Sequence, residues 1–234
     1  MDVEPSIAGI GALIGNPARA SILNALMDGR ALTATELAFH AGVSPQTTSS
    51  HLAKLTDAKL LAVENQGRHR YYRLADRRVA EALEPLTAIV AHRPVPQRKP
   101  SKELLRLRDS RMCYDHLAGR LGVALADAML AADYLQREDR DFRITDAGEA
   151  FFAKAGLDLD SVRKQRRATA RVCLDWSERR PHVGGALGAA LATRCLKLKW
   201  ITRERQGRRV RLTAAGERGL AELLPNLSLA SESA

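Results

Sequence analysis

Apolar positions over residues 33–56 recur at steps of three and four and predict two short helices joined by a tight turn. Thr33 and Glu36 have the spacing of a capping box at the start of the first helix. Gly42 is placed to end that helix in the left-handed conformation. Ser44, followed by a proline, predicts the start of the second helix, because serine caps free amides and proline suits the first helical position. The pattern therefore predicts a helix-turn-helix.

The second of these helices has an apolar face and a polar face. Thr48, Leu52 and Leu55 share the face that packs inward. The opposite face carries hydrogen-bonding side chains and one lysine, namely Gln46, Thr47, Ser50, His51 and Lys54. Such groups suit base edges in the major groove, and the lysine suits a phosphate. A merely solvated face is the alternative, although solvated helix faces are normally rich in Glu and Lys.

A basic hairpin is predicted directly after the second helix. The turn at residues 65–67 separates an apolar run from a strand over residues 68–74. Arg68 and Arg70 are candidates for contacts with the phosphate backbone or the minor groove. The two consecutive tyrosines must face opposite ways, and Tyr72 is the one we assign to DNA. Helix-turn-helix and hairpin together predict a winged helix-turn-helix.

Further helices flank this motif. We predict an opening helix over residues 6–14, a helix over 18–27 and an amphipathic closing helix over 76–92. Arg19, in the first turn of the second of these, is a candidate phosphate contact, and Ser44 joins the list of candidate DNA contacts. The expected fold class is mainly α with short β-hairpin wings.

A proline-rich stretch predicts the domain boundary. It carries three prolines without apolar periodicity and is typical of a linker. The expected domains are a DNA-binding and dimerisation domain over 1–92, the linker over 93–100, and a winged-helix-like sensing or dimerisation domain over 101–234.

The second half contains an internal repeat. Cys113 and Cys173 each begin a Cys-x-Asp-aromatic stretch, and we predict a His-led, glycine-rich apolar helix after each. Turn signals predict hairpins over 135–143 and 201–211, and a Thr-x-x-Gly sequence follows both. We expect the order helix, helix, hairpin and helix, which makes one or two degenerate winged-helix units.

The repeat groups the side-chain types that bind soft metal ions. The candidate ligands are Cys113, Asp115, His116, Cys173, Asp175 and His182. Neither stretch has the Cys-x-x-Cys spacing, and buried cysteines often have no role beyond packing. Metal binding, thiol sensing and plain structural cysteines therefore all stay open, while Cys195 is interpreted as structural. The cofactor is unknown: a soft divalent metal ion, or none.

The net charge of +10 indicates an acidic partner such as nucleic acid. Residues 1–92 hold nine basic and nine acidic side chains, whereas residues 93–234 hold twenty-eight and eighteen. The reading domain would thus bind through local charge on its wing and helix ends. A solvated, arginine-rich surface is the alternative explanation of the excess.

Other classes of protein fit less well. No apolar run is long enough to span a bilayer, the first residues lack a signal-peptide pattern, and three cysteines favour a reducing cytoplasm. We also expect no enzyme. Cys113, Asp115 and His116 could form a nucleophilic set, but no oxyanion-type glycine turn or phosphate loop accompanies them.

Residues 14–74 resemble the ArsR/SmtB family of bacterial winged-helix repressors. The resemblance rests on IGNPARASILNAL, TELAFHAGVSPQTTSSHLAKL and GRHRYYRL. It implies a homodimer, built on the first and closing helices, that binds double-stranded DNA at an operator and releases it when a metal ion or other inducer binds. Both usual metal sites of the family are missing, because Thr35 to Ala38 replace a Cys-x-Cys-type box and arginines follow Asp76.

The expected function is a sequence-specific transcriptional regulator, a repressor released by a metal ion, oxidant or small ligand. The alternative is a tandem winged-helix protein that organises DNA without an inducer, binding through the basic second half with little sequence preference.

Overall fold

The computed structural model describes residues 7–66, 69–90, 102–204 and 207–229. The chain divides into two compact units, residues 1–83 and 84–234. The predicted linker over 93–100 lies outside the described residues, and so does Arg68.

The first unit is a helical domain with a small antiparallel sheet. Its elements are α1 (Ile7–Ile14), α2 (Pro17–Ala25), β1 (Leu32–Thr33), α3 (Ala34–Ala41), α4 (Pro45–Asp57), β2 (Leu61–Gln66), β3 (His69–Leu74) and the first part of α5 (Arg77–Val90). The strand order is β1-β3-β2. In β2 and β3, Leu61 pairs with Leu74 and Gln66 pairs with His69, so the hairpin is in register along its whole length.

Local signals in the sequence form the predicted helix ends. Thr33 and Glu36 make a complete capping box at the start of α3. Gly42 ends that helix with φ of 64°, in the left-handed region that favours glycine. The Ser44 side chain accepts a hydrogen bond from the Thr47 backbone N–H and caps α4. These predictions are confirmed.

The core of the first unit lies between α2, α3, α4 and the sheet. It is made of aliphatic side chains with little or no exposure, including Ile22, Leu23, Leu26, Leu37, Leu52, Leu55, Leu61 and Leu74. Thr48 is also fully buried, and its hydroxyl donates to the Ser44 backbone oxygen at 2.9 Å. The buried hydroxyl is therefore satisfied inside α4.

The second unit contains the same series of elements twice. After α6 (Lys102–Asp109), the first repeat comprises β4 (Arg111–Cys113), β5 (His116–Ala118), α7 (Gly119–Ala131), β6 (Leu135–Glu138), β7 (Asp141–Ile144) and α8 (Asp146–Lys154). After α9 (Leu159–Arg163), the second repeat comprises β8 (Arg171–Leu174), β9 (Pro181–Gly184), α10 (Gly185–Lys197), β10 (Ile201–Arg203), β11 (Val210–Leu212) and α11 (Ala214–Leu223).

The expected order of helix, helix, hairpin and helix is wrong for these repeats, which each begin with a hairpin. Cys113 and His116 lie on β4 and β5, and Cys173 and His182 lie on β8 and β9, so none of the four is helical. Strands of three or four residues are too short to show alternation in a sequence. In addition, the turn between β4 and β5 places Tyr114 at φ of 58°, a conformation that tyrosine rarely adopts.

Matching residues form matching local structure in the two repeats. Thr145 caps α8 and Thr213 caps α11, each accepting from the backbone N–H of the glycine three residues later. A Cβ on either glycine, Gly148 or Gly216, would approach a backbone oxygen to 2.1 Å. The Thr-x-x-Gly sequence is thus explained by a cap and a close backbone approach.

The two repeats pack against each other reciprocally. Helix α7 contacts β9 of the second repeat, and α10 contacts β5 of the first. Strands β6-β7-β8-β9 form one sheet through the pair Asp141 and Arg171, and a bridge between Arg111 and Arg209 joins β4 to the last hairpin. One continuous apolar core runs through both repeats. Across the described ranges, no helix is long and apolar enough to cross a bilayer.

Candidate functional site

The outer face of α4 is exposed and polar. Gln46, Thr47, Ser50 and Lys54 are all exposed, and His51 at the edge of this face is half-buried. The inner face, with Leu52 and Leu55, is fully packed. The predicted reading side chains therefore share one accessible surface of one helix.

His51 is a neutral hydrogen-bonding group on this surface. The pKa of His51 is lowered by burial and, to a smaller extent, by the positive charges of Arg19 and Lys54. Its Nδ1 is buried without a hydrogen-bond partner among the described residues.

Two of the predicted DNA contacts have structural partners. The Ser44 hydroxyl caps α4 and also lies 2.9 Å from the Thr47 hydroxyl. The Arg19 guanidinium donates to the backbone oxygens of Leu13 and Ala12 at 2.6 Å each, and so caps the end of α1. Contacts of Ser44 and Arg19 with DNA stay predictions.

The wing presents Arg70 and keeps its tyrosines partly packed. Arg70 is exposed and pairs with Asn65 across the hairpin. Tyr72 is half-buried, lies opposite Val63, and pairs on its other side with Leu32. Tyr71 is half-buried too. Exposure therefore does not distinguish Tyr72, which we assign to DNA, from Tyr71.

A second group of residues, the predicted metal ligands, lies between the two repeats. Four of the six candidate metal ligands have ligand atoms within 4.8 Å of one another, and we call them the Cys–His cluster: Cys113, His116, Cys173 and His182. Cys113 pairs with His116 across the first hairpin of the unit, and Cys173 pairs with His182 across the corresponding hairpin of the second repeat. Each repeat thus supplies one cysteine and one histidine.

The cluster is enclosed by the fold. His182 and Cys113 are 0% and 3% exposed, and His116 is 8% exposed, while Cys173 is half-buried. The thiols of Cys113 and Cys173 are free, with their Sγ atoms 3.9 Å apart. The pKa of Cys113 is raised by its hydrogen bond with Cys173 and by burial, so it is a neutral thiol in the absence of a neighbouring cation.

Asp115 and Asp175 lie outside the cluster and are held by arginines. Asp115 binds Arg167 and lies 3.2 Å from Nδ1 of His116. Although burial acts to raise the pKa of Asp115, its hydrogen bonds to His116 and Arg167 lower it. The carboxylate is therefore placed to orient the imidazole rather than to join the four ligand atoms.

Asp175 has the corresponding position in the second repeat. It accepts from Arg111 at 2.8 Å and from the Gly119 backbone N–H at 2.6 Å, and it lies 3.9 Å from Nδ1 of His182. Burial acts to raise the pKa of Asp175, but Arg111 and His182 outweigh burial and lower it.

Sequence reasoning missed Arg111, whose side chain is fully buried beside the cluster. Its guanidinium lies 4.5 Å from the centre of the Trp176 ring as well as binding Asp175. Nothing distinguishes this arginine from the many others in the second half, because its partners are far along the chain.

A helix-turn-helix followed by a basic antiparallel wing is the architecture of a winged-helix DNA-binding protein. Residues 14–64 match the family described as "Helix-turn-helix domain". The chain is 47% identical to the HTH-type transcriptional regulator YdfF of Bacillus subtilis over 92% of its own length and 95% of that relative. It is also 36% identical to the HTH-type transcriptional regulator CmtR of Mycobacterium tuberculosis over 37% of its length and 73% of that relative.

The chain therefore belongs to the ArsR/SmtB-type helix-turn-helix transcriptional regulators, and it is a DNA-binding regulator of transcription. Among solved structures, it is similar to the cadmium metal-sensor CmtR of M. tuberculosis, with 32% identity, 41% of this chain and 99% of that chain covered, and a TM-score of 0.32. It is also similar to NolR of Sinorhizobium fredii, with 29% identity, 35% and 81% covered, and a TM-score of 0.33.

Proposed function

We propose that the protein is a homodimeric repressor that reads an operator with the outer face of α4 and releases it when an effector binds the second unit. The observation that supports this best is the composition of that face: exposed hydrogen-bonding side chains with a single charge, Lys54, at its far end. A face built only for solubility would carry more charge.

Each side chain has a distinct role in this proposal. Gln46 and Ser50 read base edges, since an amide or hydroxyl can pair with a base donor and acceptor. Lys54 and Arg70 bind phosphates, which positions the helix without specifying sequence. A two-fold dimer would place two copies of α4 in successive major grooves, so the operator should contain half-sites about one DNA turn apart.

Exposed apolar side chains support the dimer. Ile7 and Ile10 on α1 are 90% and 45% exposed, and Ile89 on α5 is 65% exposed. Helix α1 has no buried residue in the described chain. Isoleucines left in water on a helix are stabilised by burial against a partner.

The test compares DNA upstream of the protein's own gene with a scrambled duplex of equal length, by fluorescence anisotropy at two salt concentrations. We expect the native sequence to bind several hundredfold more tightly, and the preference to persist at the higher salt. Gln46→Ala should reduce this preference by about tenfold. Arg70→Ala should weaken both duplexes equally and lower the salt slope by about 1.

Gln136→Ala, an exposed glutamine on β6 of the second unit, is the matched control and should bind both duplexes as the wild type does. If Gln46→Ala, like Arg70→Ala, lowers the affinity for the native and the scrambled duplex by the same factor, the assignment of reading and positioning roles is wrong.

A protein that organises DNA through its basic second half, without an inducer, is the second candidate, and the charge distribution favours it. Residues 93–234 hold the whole excess of basic over acidic side chains. This function predicts equal affinity for both duplexes and a joint loss of binding at higher salt.

A further inference from the structure

The Cys–His cluster has the donor set and the dimensions of a tetrahedral metal site. Two thiolates bound at about 2.3 Å to a tetrahedral ion lie about 3.8 Å apart. The Sγ atoms of Cys113 and Cys173 are 3.9 Å apart, and all four ligand atoms lie within 4.8 Å of one another. The four side chains can therefore contact one ion with little movement of the backbone.

The imidazoles of the cluster have nitrogens without hydrogen-bond partners in the described chain. They are Nε2 of His116 and both ring nitrogens of His182. A buried polar group without a partner destabilises the fold, because it has lost its hydrogen bonds to water without replacement. Packing alone explains buried cysteines, but it does not explain two buried histidines that each have a ring nitrogen within 4.8 Å of two thiols. A bound cation would give a partner to one nitrogen of each ring and to both sulfurs.

The surroundings of the histidines match those of metal ligands. Nδ1 of His116 contacts Asp115, which leaves Nε2 facing the cluster. In the second repeat, Asp175 lies 3.9 Å from Nδ1 of His182. A carboxylate on the ring nitrogen remote from the ion fixes the orientation of a metal-binding histidine and increases its basicity. The repeat therefore duplicates the ligand pair, with a carboxylate in hydrogen-bond contact with His116 in the first repeat and one 3.9 Å from His182, beyond hydrogen-bond length, in the second.

We propose that the cluster is a closed, four-coordinate site for one thiophilic divalent cation of the zinc class, with Cys113 and His116 from the first repeat and Cys173 and His182 from the second. Two thiolates and two imidazoles favour Zn(II) and its analogues Co(II) and Cd(II), whereas Mg(II) and Ca(II) prefer oxygen ligands. On binding, each thiol loses its proton to solvent, because the thiolate is the ligand. The bound ion joins the two repeats.

The site is distinct from the DNA-binding surface, and metal uptake is measured on the full chain without DNA. Its outcome is therefore independent of the proposed repressor role. The metal-free, reduced protein is titrated with Co(II), whose tetrahedral thiolate complexes give intense visible and near-ultraviolet bands. We expect these bands to saturate at about one equivalent per chain, to disappear when Zn(II) is added, and to persist in excess Mg(II).

Ligand variants test the assignment of residues. Cys173→Ser and His182→Gln should each weaken Co(II) binding by on the order of 100-fold, and Cys173→Ser should lose about half of the sulfur-to-cobalt absorption. Cys195→Ser and His69→Gln are matched controls outside the cluster and should bind as the wild type does. Equal binding by the ligand variants and their controls would overturn the proposal.

A measurement on the wild type covers the case in which a variant does not fold. Zn(II) should slow alkylation of Cys113 and Cys173 by at least about tenfold, read by mass spectrometry, and leave Cys195 unchanged. If Zn(II) does not change the rate of alkylation, the metal site is rejected. If the reduced protein takes up no Co(II), and Cys113 and Cys173 form a disulfide on exposure to peroxide, the metal site is rejected and the pair is a thiol switch.

Discussion

The imidazole rings of His116 and His182 stack with their centroids 5.1 Å apart and their planes at 27°. Each ring belongs to a different repeat, and each lies beside a glycine of the helix in the other repeat. A Cβ on Gly188 of α10 would lie 3.0 Å from Cβ of His116, and a Cβ on Gly122 of α7 would lie 3.6 Å from Cβ of His182. The close approach of the repeats depends on these glycines.

Gly188→Ala should therefore destabilise the second unit. Helix propensity alone predicts a gain of up to about 1 kcal/mol for this change. The added Cβ would lie 2.1 Å from the Val183 backbone oxygen, which cannot move without shifting β9. We expect a net loss of about 1–3 kcal/mol in the free energy of unfolding, measured by urea denaturation.

Gly11→Ala is the control for that change. Gly11 lies in α1, and its Cβ would meet no atom within 4 Å, so this variant should be neutral or more stable. A stabilising effect of Gly188→Ala would show that α10 packs less tightly on the Val183 backbone than described.

Asp115→Asn tests the supporting role of the carboxylate in metal binding. The variant keeps the size of the side chain but removes the charge that faces Nδ1 of His116. We expect the dissociation constant for Co(II) to rise about 10- to 100-fold, while the tetrahedral absorption bands remain. Asp146→Asn, at an exposed position in the first turn of α8, should leave Co(II) binding unchanged. Loss of the bands in Asp115→Asn would indicate that the aspartate is itself a ligand.

The capping box of α3 should make stability depend on pH. The pKa of Glu36 is lowered, chiefly by the hydrogen bond from the Thr33 backbone N–H. A lowered folded-state pKa means that the ionised Glu36 stabilises the folded state above pH 4.5, and that this contribution is lost as pH falls through the lowered pKa.

Glu36→Gln should consequently unfold at lower urea than the wild type at pH 7, and the difference should be smaller at about pH 3. Urea midpoints followed by circular dichroism check this expectation. A difference that stays constant between these two pH values would mean that the charge of Glu36 contributes nothing.

Substitutions at Ser44 separate helix capping from DNA binding. Ser44→Ala should cost about 1 kcal/mol of stability, because the Thr47 backbone N–H loses its acceptor. Ser44→Asp keeps an acceptor and should retain stability, but its negative charge would face the DNA phosphates. We expect Ser44→Asp to bind all duplexes at least about tenfold more weakly. Unchanged DNA affinity in this variant would place Ser44 outside the interface.

Substitutions on α1 test the proposed dimer. Changing both Ile7 and Ile10 to Asp should shift the protein from dimer to monomer in analytical ultracentrifugation, because charges would replace the apolar side chains we assign to the interface. Phe39→Asp is the control, since Phe39 is 70% exposed on α3 and has no role in the proposed interface. A dimer that persists in the isoleucine variant would move the interface elsewhere.

The helix-turn-helix could be predicted from the sequence because its determinants are local. The capping box at Thr33 and Glu36, the left-handed Gly42 and the serine cap at Ser44 each act within one turn of a helix. The spacing of Thr48, Leu52 and Leu55 sets which face of α4 is buried, and this spacing is a property of the helix alone.

The Cys–His cluster was decided by the tertiary structure. The sequence supplied the ligand types and the repeat, but the first hairpin depends on a tyrosine in the left-handed region, and the meeting of Cys113 with Cys173 depends on packing between the repeats. The aspartates look like ligands in sequence, yet Arg111 and Arg167 bind them in the fold. Such long-range contacts leave no periodic signal, because they form only when distant segments share one core.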